Sequence, residues 1–184
     1  MITDLVIVIA AALFIGVYVS WRAGRIDRLH ARVDMAQAAL DATLVRRSSV
    51  ALELATSGLL DPATSLLLAS AVHATRDSPG TDRPRDLAES DLTRALRAAF
   101  SQPDFRTSMT GKEGAEELLA DVESAAHQVW LARKFYNDVV AATREARQRP
   151  LARVLRLSGR AKAPEFFEMD DSLVAENAST PLSL

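Results

Sequence analysis

The sequence predicts an all-α protein in which a single N-terminal transmembrane helix precedes an antiparallel up-down four-helix bundle with two long and two short helices. Three observations support this fold class. Residues Leu5–Val19 form an uncharged apolar run. Two later segments repeat apolar residues every three or four positions, as a helix with one buried face does. Glycine and proline number only seven each among 184 residues, a composition that favours helices.

The apolar run (Leu5–Val19) has the dimensions of a membrane span. A helix over Leu5–Trp21 is about 26 Å long, near the minimum for crossing the hydrocarbon core of a bilayer. Four basic residues follow it closely: Arg22, Arg25, Arg28 and Arg32. Because positive charge favours the cytoplasmic side, we expect the N-terminus outside and the bundle inside, at the cell (inner) membrane. A cleaved export signal is the alternative, but it requires basic residues before the run and small residues at its exit.

Small residues lie four apart along the predicted span. Ala12, Gly16 and Ser20 form a line that permits close approach of a second helix, so they are candidates for transmembrane association.

The chain is predicted to divide into four parts. Residues 1–22 are the anchor and residues 23–150 the cytoplasmic bundle. Residues 151–170 hold a basic amphipathic stretch and an acidic-aromatic closing stretch, and residues 171–184 form a disordered tail.

The first long bundle helix is predicted from about Arg25 to Leu59. Its apolar seam consists of Ile26, Leu29, Val33, Ala36, Leu40, Thr43, Leu44, Ala51 and Leu54. Asp61 is predicted to cap a second helix that starts at Pro62 and ends near Ala74. The apolar residues of this helix are Leu66, Leu67, Leu68 and Val72. Residues 76–85, with two prolines and a glycine, predict a loop.

The third helix is predicted to start at a cap on Asp86 or Ser90 and to end at Phe100. Its inner residues are Leu87, Leu92, Leu96 and Ala99. Residues 101–109 are a connector. Thr110 and Glu113 have the spacing of a capping box, which predicts the start of the last long helix there and its end near Pro150. Its seam consists of Ala115, Leu118, Val122, Ala125, Val129, Ala132, Tyr136, Val139 and Thr143.

A strongly basic stretch, Arg144–Lys162, follows the last helix. Antiparallel connectivity would return its start toward the bilayer, where basic residues bind anionic lipid. The candidate membrane-surface contacts are Arg147, Arg149, Arg153, Arg156 and Arg160. The alternative is a solvated helix that packs its leucines on the bundle. Residues 165–176 are acidic and aromatic, and either dock a partner or fold back on the bundle.

The stretch Ala132-Arg-Lys-Phe-Tyr-Asn-Asp-Val-Val140 resembles the ARxFYNxxV signature of the LemA family. The double arginine Arg46-Arg47, Pro150, Gly159 and the stretch 164–168 resemble further family features in the same order. The resemblance covers residues 1 to 170. It implies one N-terminal span, an antiparallel four-helix cytoplasmic bundle and a link to envelope or membrane organisation, with no established reaction, cofactor or ligand.

The chain also departs from the family pattern. The family repeats Tyr-Asn one heptad later, where this chain has Thr143 and Arg144. Arg149 and Arg160 replace its aromatic residues beside the proline and the glycine. The resemblance therefore implies fold and topology, but no role that depends on the second Tyr-Asn pair.

Tyr136 lies on the seam of the last helix, so its hydroxyl needs a buried partner. The candidate interhelical polar contact comprises Arg46, Arg47, Arg133, Tyr136 and Asn137. One interpretation is a polar pocket between the first and fourth bundle helices. The other is a contact that fixes helix register.

The sequence predicts no catalytic, cofactor-binding or metal-binding residues. It has no cysteine, no paired Glu-x-x-His, no nucleophile elbow and no glycine-rich phosphate loop. A net charge of −2 argues against nucleic acid as a partner. We expect a non-enzymatic scaffold or adaptor whose partners are the lipid bilayer and other proteins or a second copy. The alternatives are a transmembrane signalling module and an enzyme with an unrecognised polar pocket.

Overall fold

The computed structural model describes residues 2–77, 84–102, 105, 109–148 and 162–172. These residues form helices and irregular segments without a strand, which confirms an all-α protein. Four helices can be bounded within these residues, two of them long and two short. Their bounds are α1, Ile2–Thr56; α2, Pro62–Asp77; α3, Arg85–Phe100; and α4, Ala115–Gln148.

The chain divides into two compact units. The first contains residues 1–37 and 135–166, and the second contains residues 38–134 and 167–184. Helices α1 and α4 contribute residues to both units. In the first unit the buried side chains of the two helices are Val33, Ala36, Tyr136, Val140 and Thr143.

All four helices contribute to one apolar core in the second unit. Its buried members are Ala51, Leu54, Ala55, Leu68, Val72, Leu92, Ala95, Leu96 and Val122. Most predicted seam residues of α1, α3 and α4 are therefore inside. Leu66, Leu67 and Leu87 are exposed, at 72%, 52% and 49%. Successive helical residues point about 100° apart, so of the three leucines of α2 only Leu68 shares the inner face with Val72.

The start of α2 confirms the predicted cap. The carboxylate of Asp61 accepts hydrogen bonds from the backbone N–H groups of Ala63 and Thr64, at 3.0 and 3.1 Å. These bonds satisfy two of the donors that a helix start leaves free. The hydrogen bonds from Thr64 lower the pKa of Asp61 below its usual value.

The predicted start of α4 at Thr110 and Glu113 is wrong. Helix α4 begins at Ala115, directly after Gly114, whose φ is +74°. Gly111 has a φ of +80°. Because two glycines hold left-handed conformations, the stretch between them forms turns and the helix starts only beyond the second.

The bounds around α3 also differ from those predicted. Helix α2 continues to Asp77 and α3 begins at Arg85, so both ends of the predicted loop are helical, and residues 78–83 lie outside the described residues. Neither Asp86 nor Ser90 is the N-cap. Pro84 precedes the helix, and its fixed φ leads the chain into the first turn. Ser90 lies inside α3 and donates to the carbonyl oxygen of Asp86, at 2.7 Å.

The start of α1 presents apolar side chains outward. Every described side chain from Ile2 to Trp21 is exposed, including Phe14 at 75% and Val17 at 70%. Within the described residues, no helix combines the length and apolar character required to cross a membrane.

Candidate functional site

A buried ion pair joins α1 to α3 in the second unit. Nη2 of Arg47 lies 2.5 Å from Oε2 of Glu89 and 3.1 Å from the carbonyl oxygen of Glu89. Nη1 of Arg47 donates to the hydroxyl of Thr93 at 3.1 Å. The side chains of Arg47 and Glu89 are 3% and 2% exposed. Such a pair must be formed on folding, because either charge alone is costly inside the protein.

Two opposing effects act on Arg47. Burial lowers the pKa of its guanidinium below the usual value, while the charge of Glu89 and the hydrogen bond to it raise the pKa. Its Nε has no hydrogen-bond partner among the described residues. The pair is therefore held by the terminal nitrogens alone.

A second buried polar contact lies beside the ion pair. The hydroxyls of Ser48 on α1 and Thr75 on α2 are 3.1 Å apart. The hydroxyl of Thr75 also lies 2.8 Å from the carbonyl oxygen of Val72, and either hydroxyl can be the donor between Ser48 and Thr75. Together the two contacts form a polar layer across the core that links α1 to both α2 and α3.

The Tyr136 hydroxyl has an acceptor that sequence reasoning did not name. In the first unit it donates to the carbonyl oxygen of Glu165 at 2.9 Å. Arg144 lies over the ring of Phe166, 5.1 Å from its centre. Arg147 donates to the carbonyl oxygen of Lys162 at 3.1 Å. Helix α4 thus binds the start of an irregular C-terminal segment, defined as residues 162–172.

The end of the C-terminal segment binds α3 and α4 in the second unit. Nη2 of Arg97 lies 3.3 Å from each carboxylate oxygen of Asp170. Arg133 binds the carboxylate of Asp171, and the backbone N–H of Asp170 donates to Ser90 at 3.0 Å. A hydrogen bond from Ser172 and the charge of Arg97 hold the pKa of Asp170 below its usual value. The described part of the acidic stretch, residues 165–172, therefore folds back on the helices, one of the two predicted fates of the stretch.

Three of the five residues of the predicted polar contact take part in three different interactions. Arg47 binds Glu89, Tyr136 binds Glu165 and Arg133 binds Asp171. Arg46 is exposed and Asn137 is half-buried. The residues predicted to form one polar contact therefore serve two purposes. Arg47 belongs to a buried ion pair, and Arg133 and Tyr136 hold the C-terminal segment.

The other predicted surfaces are only partly described. Arg147 is half-buried, and its Nη1 lies 3.0 Å from Nε2 of His30. Arg149, Arg153, Arg156 and Arg160 lie outside the described residues, so contact with lipid stays a prediction. Ala12, Gly16 and Ser20 are exposed on α1 and line a shallow groove.

An acidic pocket of about 360 Å³ lies in the second unit. Its lining residues are Glu53, Ser57, Leu59, Glu113, Gly114, Glu117, Leu118 and Asp121. Within the described part of the chain, no three His, Asp or Glu side chains are grouped so as to hold a metal ion. The carboxylates are exposed, as on an ordinary solvated helix surface.

Sequence reasoning missed Glu89, although a signal was present. Glu89, Leu92, Leu96 and Ala99 are spaced three and four apart, so Glu89 occupies an inner position of α3. Arg47 likewise falls between Leu44 and Ala51 on the seam of α1. Two opposite charges on two predicted inner faces indicate a buried pair. The partners of Asp170 and Asp171 had no comparable signal, because these aspartates lie in a segment without regular secondary structure, where no period marks an inner face.

Comparisons with protein-family models, with curated proteins and with solved structures found no match.

Proposed function

We propose that this chain is a single-pass membrane protein whose helical bundle serves as a scaffold or adaptor of the LemA type, without catalysis. The span fixes its orientation at the inner membrane, with the N-terminus outside. The bundle then organises protein partners at the cytoplasmic face.

The observation that carries the proposal is the apolar surface of α1 near its start. Leu13, Phe14 and Val17 are 67–75% exposed in the isolated chain. Soluble proteins rarely leave so long an apolar surface to water. A bilayer is a suitable cover, because Tyr18 and Trp21 lie at one end of the run with arginines directly beyond them.

We also propose an antiparallel up-down arrangement of the four helices. The shared core of the second unit supports it, since each helix buries one face there. Short connections favour antiparallel neighbours, and only Ser57–Asp61 separates α1 from α2.

The family assignment rests on the ARKFYN stretch and the features that accompany it. Arg133 and Tyr136 of this stretch bind the C-terminal segment. Residues of the signature are thus used in holding the chain together, which supports a structural role for the signature over a reactive one.

The orientation can be tested by cysteine labelling, because the chain contains no cysteine. Thr3→Cys and Ser49→Cys place single thiols at exposed positions before and after the apolar run. With a membrane-impermeant maleimide on intact cells, we expect labelling of T3C only, and of S49C only after permeabilisation. Labelling of S49C on intact cells, or recovery of T3C in the soluble fraction, would refute the proposal.

A further inference from the structure

The last residues of the C-terminal segment form a peptide bound to helices α3 and α4. Met169 is buried, at 8% exposure, and anchors the peptide in the second unit. The two residues after it carry carboxylates that bind arginines on α3 and α4. Ser90 binds the peptide backbone at Asp170. The surface therefore recognises an apolar side chain, two negative charges and one backbone N–H.

Arg133 binds the C-terminal segment without using all of its hydrogen-bond donors. Arg133 binds Asp171 through Nη2, and its buried Nε has no hydrogen-bond partner among the described residues. A peptide with a better-placed carboxylate would engage the guanidinium group of Arg133 in the paired geometry that arginine favours.

The bound peptide is also held in a way that permits release. The ion pairs of Arg97 and Arg133 are 20–34% exposed, and partly exposed pairs contribute little stability. The segment has no regular secondary structure from Lys162 to Asp171, so these residues have no helix to unfold on leaving. A competing peptide therefore has to overcome mainly the high local concentration of the attached segment.

We propose that Ser90, Arg97 and Arg133 form an acidic-peptide site that binds an acidic segment of a partner protein, in competition with the chain's own Met169–Ser172. The site names a class of partner for the proposed scaffold and rests on that function. Its test uses purified protein, so a failure of the membrane topology would leave the result intact.

The probe is a labelled peptide of residues 167–172, FEMDDS, measured by fluorescence anisotropy against the full chain in detergent. Asp170→Asn/Asp171→Asn weakens the attached competitor, so we expect this variant to bind the peptide at least tenfold more tightly than the unaltered chain. Adding Arg97→Ala and Arg133→Ala should remove binding. Adding Arg94→Ala should not, because Arg94 pairs with Asp91 on the same helix.

Two results would overturn the acidic-peptide site. One is equal affinity for the unaltered chain and the double variant. The other is binding that survives loss of both arginines.

A second measurement applies if the double variant loses its helical circular dichroism. Hydrogen exchange at residues 167–172 of the unaltered chain should speed up as unlabelled peptide is added, since the Asp170 amide loses Ser90. Exchange that does not change with peptide concentration would also overturn the proposal.

Discussion

Arg47 and Glu89 show how a single pair of residues constrains the core. Neither side chain reaches water, and each is the charged partner of the other. A helix shifted by one turn would separate them, leaving two buried charges without partners. The pair therefore favours one register of α1 against α3, a role known for buried polar groups in coiled coils.

The two residues should be far less tolerant of single than of double substitution. Arg47→Met or Glu89→Leu alone leaves an uncompensated buried charge, and we expect each to lower the free energy of unfolding by about 3–5 kcal/mol. The double variant should recover most of this loss, because apolar residues of similar volume replace both charges. Urea unfolding measures all three.

Arg46→Met is the matched control, because Arg46 is the neighbouring arginine on α1 and is exposed. We expect a change of less than about 0.5 kcal/mol. Losses that simply add in the double variant would contradict the role of the pair.

Asp61 makes stability depend on pH at the start of α2. Its pKa is lower in the folded chain than in the unfolded chain, so it stabilises the fold above the unfolded pKa, and this contribution is lost as pH falls through the folded pKa. Asp61→Asn keeps a capping side chain without a titrating group. The variant should therefore lose less stability than the unaltered chain between about pH 4 and pH 2. The free energy of unfolding of both proteins can be measured by urea unfolding at each pH. An equal loss in the two proteins across this range would contradict the assignment.

At the scale of elements, periodicity in the sequence predicts which faces are buried better than where helices begin. The seams of α1 and α4 contain most of the buried side chains of those two helices, because burial of a helix face imposes the 3.6-residue period directly. The predicted start of α4 was wrong because the true start depends on the backbone angles of Gly111 and Gly114. Glycine is compatible with helix, turn and left-handed conformations alike, so spacing alone favoured the capping box.

Gly114→Ala should therefore destabilise the chain. A Cβ at this position has open space around it, so the cost comes from the left-handed backbone, about 1–2 kcal/mol. Gly24→Ala within α1 is the control, since its Cβ meets only the end of Arg28 at 3.9 Å. It should be neutral or slightly stabilising. Thermal melts measure both variants. A change in melting temperature of the same sign in the two variants would contradict this account.

At the scale of the whole chain, the fate of the C-terminal segment was the least predictable feature. Its acidic residues suit partner binding and folding back equally well. The structure places Asp170 against Arg97 and Asp171 against Arg133, contacts that depend on the packing of α3 and α4 and have no local pattern. Short-range rules identify helices, but not which distant surface an extended stretch will meet.

Contact between the basic stretch and lipid can be tested on a chain that lacks residues 2–22. We expect this variant to float with vesicles that contain anionic lipid and to stay behind with neutral vesicles. Each basic residue near an anionic surface contributes about 1 kcal/mol, and added salt should release the protein. Flotation that does not depend on lipid charge would exclude the contact.

The buried pair of Arg47 and Glu89 also bears on how this protein evolves. A lineage that loses one of the two charges starts from a weakened fold, so the second change is favoured soon afterwards. Across descendants of a common ancestor, positions 47 and 89 should accordingly change together. Some branches should keep the ion pair, and others should carry two apolar side chains.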